Sequence, residues 1–139
     1  MNIAFEEKSV WVQFLALIFI LGGYFLTAAQ MVRAGVDHLA AYAPVFAVSV
    51  VMLVVVLIAG HIVAAATSRS EQRDERDKII AWRAESLSSW VMGVGIIMAI
   101  TAMVVGVSSV WVAHGLLLAL LLSELGCLML RIFFYRRGI

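Results

Sequence analysis

The chain has 139 residues, of which 64% are hydrophobic and 14% are charged, and its formal net charge is +1. Soluble domains have about 45–50% apolar and about 25% charged residues, so this composition excludes a water-soluble globular domain and predicts that the bilayer surrounds most of the chain. The distribution of the charges matters more than their sum, and since no basic face is large enough for nucleic acid, we expect no direct nucleic-acid binding. A single cysteine, Cys127, excludes an internal disulfide and a cysteine-based metal cluster.

Four apolar stretches are long enough to cross a membrane, which takes about 20 mostly apolar residues. They cover about residues 10–32, 43–66, 89–107 and 111–135. The first follows two glutamates rather than a basic segment and is too long for the apolar part of a signal peptide, so we read it as a spanning helix. The sequence therefore predicts one all-α domain, an integral membrane four-helix transmembrane bundle.

The distribution of basic residues predicts the orientation of this bundle. Nine of the ten Lys and Arg residues lie before the first stretch, between the second and third, or at the end of the fourth, and only Arg33 lies on the other side. Cytoplasmic loops carry this excess of Lys and Arg. We therefore expect both termini in the cytoplasm (N-in and C-in) and a multi-pass protein of the cell inner (plasma) membrane.

The segment 67–88 is the one sizeable polar region, and we expect it to be helical. Ser68 and Glu71 have the spacing of a capping box, and Asp74 and Lys78 form a favourable i,i+4 pair. Ile79, Ile80 and Trp82 form an apolar patch that would lie on the membrane surface or on a partner; the alternative is a solvated helical hairpin that extends the flanking spans. The candidate partner-binding residues are Arg73, Asp74, Glu75, Arg76, Asp77, Lys78 and Trp82.

Glu124 is the main ionisable residue inside a predicted span. Such groups are costly in hydrocarbon, so they face the bundle and find partners or mark an ion pathway. By depth, Thr101 and His61 are the expected partners of Glu124. One reading is proton or cation coupling, and the other is an interhelical hydrogen bond. His61 either titrates near neutral pH or bonds a carbonyl or a lipid phosphate.

The remaining histidines indicate neither a metal site nor a cofactor. His38 and His114 lie near the predicted outer surface beside Asp37, which is a weak set of ligands. A haem would need two histidines at one depth, whereas His61 and His114 lie at opposite ends. Since no cluster of catalytic groups is visible either, we expect no cofactor, no metal and no enzymatic activity.

Small residues recur at helical spacing in the third and fourth spans. Such stripes let helix backbones approach closely, which is how packing energy arises in lipid. They serve either internal packing or the seam of a homodimer. The residues are Gly95, Ala99, Ala102 and Gly106 in the third span and Gly115, Ala119 and Ser123 in the fourth.

The stretch from Asp74 to Ile80 reads D-E-R-D-K-I-I. Together with the acidic residue of Ser123-Glu124-Leu125 and the Tyr-Arg-Arg-Gly ending, it resembles a group of uncharacterised small bacterial and archaeal four-helix membrane proteins with a D-E-R-D-x-x-I cytoplasmic motif between their second and third helices. The resemblance covers about residues 70–139. It implies an association with small helix-turn-helix regulators, and therefore a cytoplasmic regulatory protein as partner.

Two functions fit these observations. The first is a sensory or regulatory membrane module that contacts membrane lipids and binds a cytoplasmic partner through the charged segment. The alternative is a small oligomeric proton-coupled transporter or channel that uses Glu124. Four-helix multidrug exporters of similar size carry their key carboxylate in the first helix, and the first span here has none, which favours the first reading.

Overall fold

The computed structural model describes residues 5–67 and 75–137, and it describes the side chains of these ranges except those of residues 5–8, 64, 67, 76 and 137. Every regular element in these ranges is helical. We name four helical units: span 1 (5–33), span 2 (43–67), span 3 (75–104) and span 4 (109–137). The elements are Phe5–Ala16, a π-helical turn Leu17–Leu21, Gly22–Arg33, a 3-10 turn Leu39–Tyr42, Ala43–Thr67, Glu75–Val104 and Ser109–Arg137.

All four units contain helices that are long and apolar enough to cross a membrane, which confirms the all-α character and agrees with the multi-pass arrangement expected from composition. These stretches are Ser9–Arg33, Leu39–Val63, Asp77–Val104 and Ser109–Arg136. The main difference from the predicted boundaries is in span 3, which begins at Glu75 rather than near residue 89. The described part of the charged segment is therefore the continuous first half of a spanning helix. Ser68, Glu71, Arg73 and Asp74 lie outside the described residues.

The four antiparallel spans pack mainly in a row. Span 2 packs on span 1, span 1 packs on span 4, and span 4 packs most extensively on span 3. We call the end with the start of span 3 and the end of span 4 the charged end, and the opposite end, with residues 34–42 and 105–108, the loop end. This order places the charged start of span 3 beside the basic end of span 4.

Much of the apolar surface points outward, as expected when lipid is the solvent. In span 2, Val48, Val51 and Val55 are each more than half exposed. Lipid chains are as apolar as these side chains, so exposing them costs little in a membrane. The packing between spans therefore rests on a small set of buried residues, which makes their positions informative.

The turns at the loop end share one geometry. Gly35 and Gly106 have φ angles of 80° and 82°, a left-handed conformation that favours glycine. At the first turn, Val36 N–H donates to Met31 O and Gly35 N–H donates to Val32 O, the two bonds of a Schellman motif. At the second turn, Val107 N–H donates to Ala102 O and Gly106 N–H donates to Met103 O, which is the same motif. Both turns thus satisfy the last carbonyls of the helix that they end. Gly106 belongs to the turn rather than to the small-residue stripe.

A π-helical turn interrupts span 1 at Leu17–Leu21. The buried residues of this region are Ala16, Ile20, Tyr24 and Ala28, which are spaced by four. In a regular α-helix, side chains four residues apart point in directions that differ by about 40°, so a row at this spacing gradually turns around the helix. The wider π turn reduces that rotation. The turn therefore helps to keep Tyr24 on the face of span 1 that packs on span 4.

Candidate functional site

The charged end of span 3 has two different faces. Ile80, Ala84 and Ser88 follow one another at i,i+4 spacing and are buried, so this face packs into the protein. The opposite side of the helix is exposed, and we call it the outer face. Its exposed residues are Glu75, Ile79, Trp82, Arg83 and Ser86.

This arrangement corrects the predicted apolar patch. Ile79 is 53% exposed and Trp82 is 71% exposed, but Ile80 is only 2% exposed. Adjacent residues of a helix point about 100° apart, so Ile79 and Ile80 do not share a surface. Ile79 and Trp82, three residues apart, remain together on the outer face.

The charges of the predicted partner-binding segment are mostly solvated. Lys78 Nζ lies 3.4 Å from Glu75 Oε1, and both side chains are more than 60% exposed. Such a surface pair contributes at most about 1 kcal/mol. The expected pair of Lys78 with Asp74 stays a prediction, since Asp74 lies outside the described residues. Asp77 is half-buried. The exposed charges thus contribute little to the stability of the fold.

The structure does not bring Glu124, Thr101 and His61 together. Glu124 is exposed and has no hydrogen bond or ion pair among the described residues. Thr101 Oγ1 donates to Ile97 O of its own helix. Because Gly95 lies opposite Ala119, Thr101 is level with about residue 113 of span 4, roughly 17 Å along the axis from Glu124. The expected partnership is therefore wrong.

His61 instead joins a polar cluster between spans 1 and 2. Its Nδ1 lies 2.7 Å from Leu57 O; since a carbonyl accepts only, Nδ1 carries the proton of the neutral ring and Nε2 accepts. Ser9 Oγ lies 2.9 Å from Nε2, and the Gln13 amide nitrogen lies 3.2 Å from it. Gln13 also donates to Ser9 Oγ at 3.3 Å. The cluster satisfies three polar side chains at a helix crossing.

His114 lies at the loop end in an aromatic cluster with Tyr24 and Tyr42. Its Nδ1 lies 2.7 Å from Val110 O, so Nε2 accepts the Tyr24 hydroxyl at 3.1 Å. The Tyr24 ring is nearly parallel to the imidazole ring. The Tyr42 ring is nearly perpendicular to it, with 4.8 Å between the two ring centroids. The contact of the two tyrosines with His114 was not predicted from the sequence, because a single tyrosine in or beside an apolar span carries no signal for its partner.

The histidines considered for a metal site are separated by this packing. Asp37 and His38 are exposed in the loop, whereas His114 is held by Tyr24 and Val110. Within residues 5–67 and 75–137, no group of three or more His, Cys, Asp or Glu side chains is arranged to hold a metal ion.

The small-residue stripes of spans 3 and 4 face each other. A Cβ built at Gly95 would overlap the Ala119 methyl group, and Ser123 Oγ donates to Ser88 O at 3.0 Å across the same seam. Ala99 and Ala119 are buried, and Ala102 is half-buried. Internal packing therefore uses the residues that were also considered for a homodimer. An apolar groove of about 440 Å³ runs beside the seam, and Gly115 lines it.

Comparisons with protein-family models, with curated proteins and with solved structures find no match to this chain.

Proposed function

We propose that this protein is a non-enzymatic membrane module that binds a cytoplasmic regulatory protein through the outer face of span 3. The observation that carries the proposal is the length of span 3, which continues as a helix to Glu75 and presents this face at the charged end. Counted from Val104, about 20 residues of span 3 cross the hydrocarbon core and reach Glu85. The ten described residues before Glu85 therefore continue the rigid helix beyond the core.

The composition of the outer face supports protein binding. It combines two exposed apolar side chains, Ile79 and Trp82, with the charged Glu75 and Arg83. Aromatic residues and arginine dominate the binding energy of protein interfaces. A rigid helix presents them without the entropic cost of ordering a loop on binding.

The excess of basic residues at the charged end supports a cytoplasmic position for this face and insertion in the inner (plasma) membrane. A partner in the cytoplasm would meet it there. The D-E-R-D-x-x-I resemblance points in the same direction, since it implies small regulators of the helix-turn-helix type as partners.

Site-specific photo-crosslinking in native membranes tests this function. A photoreactive residue at 79 or 83 is expected to give one discrete protein adduct, identified by mass spectrometry, and Trp82→Ala is expected to reduce it. The matched control is position 97, which is 66% exposed on the same helix but lies within the apolar part. Equal adducts at all three positions, or lipid adducts alone, would contradict the proposal.

A second candidate function rests on Glu124. Its carboxyl group is exposed about two helical turns inside Arg131, where charge is costly. A small oligomeric proton-coupled transporter or channel would use such a group as its proton carrier. Proteoliposomes containing a pH dye test this: Glu124→Gln is expected to fold and to lose the proton flux, because an amide cannot release a proton. An absence of flux in the unaltered protein, or flux that survives in Glu124→Gln, would reject it.

A further inference from the structure

A polar pocket lies at the charged end, where spans 1, 3 and 4 converge. Its volume is about 260 Å³. Val10 comes from span 1, and Arg131 and Tyr135 come from span 4. Span 3 contributes the rest of the lining: Asp77, Lys78, Ala81, Trp82 and Glu85. Except for Trp82 at its edge, the pocket shares no residue with the outer face.

The depth of the pocket places it in the headgroup layer. About 20 residues cross the hydrocarbon core. Counted from the loop end, they reach Glu85 in span 3, from Val104, and Leu128 in span 4, from Ser109. Glu85 therefore lies at the boundary, and Arg131 lies just beyond it. The counts along spans 3 and 4, which run in opposite directions, thus place Glu85 and Arg131 at about the same depth. This is the depth of the lipid phosphates rather than of the acyl chains.

Arg131 has an unsatisfied donor at this level. Among the described residues, its Nε atom is buried and makes no hydrogen bond. Buried N–H groups are nearly always paired, because leaving one unpaired is unfavourable. A guanidinium group beside a pocket in the headgroup layer suits a phosphate oxygen, which accepts charge-assisted hydrogen bonds.

The charges of the pocket are balanced rather than basic. Lys78 and Arg131 contribute two positive charges, and Asp77 and Glu85 contribute two negative ones. A purely anionic headgroup would bring its phosphate to Arg131 but would also meet Glu85. A zwitterionic headgroup offers a phosphate to Arg131 and a cation to Glu85. The cation should carry N–H groups, because a carboxylate accepts hydrogen bonds that a quaternary ammonium cannot donate.

We infer that this pocket binds the phosphoethanolamine headgroup of a membrane lipid, with its phosphate at Arg131 and its primary ammonium at Glu85. The inference goes beyond the proposed function, because the pocket lies beside the outer face, has only Trp82 in common with it, and can be occupied without a protein partner.

Native mass spectrometry of the full chain released from nanodiscs tests the inference. The nanodiscs contain equal amounts of phosphatidylethanolamine, phosphatidylglycerol and phosphatidylcholine. The unaltered protein is expected to retain phosphatidylethanolamine in preference to both others. Arg131→Gln is expected to reduce that retention about tenfold, the effect of one charge-assisted hydrogen bond. Arg83→Ala, which removes a cation of the outer face, is the matched control and should not change it.

Glu85→Gln keeps the test decisive if Arg131→Gln fails to fold, since the Glu85 side chain is exposed. It is expected to lower the preference for phosphatidylethanolamine over phosphatidylglycerol about tenfold. Equal retention of the three lipids, a preference for phosphatidylglycerol in the unaltered protein, retention unchanged by Glu85→Gln, or an equal loss in Arg83→Ala would each overturn the inference.

Discussion

Gly95 of span 3 lies so close to Ala119 of span 4 that a Cβ atom at residue 95 would overlap the Ala119 methyl group. The neighbouring Ser123 bonds Ser88 across the same seam. Apolar side chains are not driven together by water inside a bilayer, and close packing replaces that driving force. This pair therefore marks where spans 3 and 4 gain much of their association energy.

Gly95→Ala is expected to lower the free energy of unfolding by about 1–3 kcal/mol, the usual cost of overpacking a tight site. The reason is the overlap of the new methyl group with Ala119. Gly93 is the matched control, because a Cβ there meets nothing within 4 Å, and Gly93→Ala should be neutral or slightly stabilising. Denaturation in mixed micelles measures both changes, and equal losses would contradict the packing described here.

The crossing of spans 1 and 2 provides a second steric test. A Cβ built at Gly60 would overlap the Val12 side chain, so Gly60→Ala should destabilise the protein. Val12→Ala removes the obstructing methyl groups and should recover part of that loss when the two changes are combined. The double-mutant cycle measures the coupling, which we expect to be about 0.5–3 kcal/mol. Additive effects would show that the two residues do not meet.

Removing the Tyr24 hydroxyl is expected to weaken the loop end by an amount typical of one interhelical hydrogen bond. Tyr24→Phe keeps the ring stacked on His114 but loses the bond to Nε2, and we expect a loss of about 0.6 kcal/mol and at most about 2. Repeating the change in a His114→Ala background should have almost no effect, since the acceptor is already absent. Thermal unfolding followed by circular dichroism measures the differences. An unchanged cost in that background would rule out the bond.

Loss of the polar group should lower the free energy of unfolding at Ser123 but leave it almost unchanged at the adjacent Glu124. Ser123 is buried and donates to Ser88 O, so Ser123→Ala should cost about 0.6–2 kcal/mol. Glu124 is exposed, and its surroundings change little when the helices separate in lipid, so Glu124→Leu should stay within about 0.5 kcal/mol. The free energies of unfolding in micelles check both values. A large loss in Glu124→Leu would mean that a second molecule or another ligand engages the carboxyl group.

The orientation proposed from the basic residues can be measured with single cysteines in a Cys127→Ala background. Cysteine at the exposed position 37 of the loop end should be labelled by an impermeant thiol reagent added outside intact cells. Cysteine at the exposed position 79 of the charged end should be labelled only after the membrane is opened. Labelling in the reverse order would place the charged end outside and would remove the basis for a cytoplasmic partner.

The number and approximate limits of the four spans follow from the amino-acid sequence alone. Each span is a long apolar stretch, and crossing a bilayer requires only local length and apolarity. The small-residue stripes were also visible in the sequence, since glycine and alanine carry their packing role at any position of a membrane helix.

The side-chain contacts between spans, in contrast, depend on how the four helices pack in three dimensions. A helix that is apolar all round has no periodic pattern to show which face is buried, so the pairing of His61 with Ser9 and Gln13, and of Tyr24 with His114, could not be read from the sequence. For the same reason depth alone suggested Thr101 as a partner of Glu124, whereas the register of spans 3 and 4 places the two residues far apart along the helix axis. The pocket of Arg131 and Glu85 needs three spans to converge, and this long-range arrangement depends on how the helices pack rather than on how apolar they are.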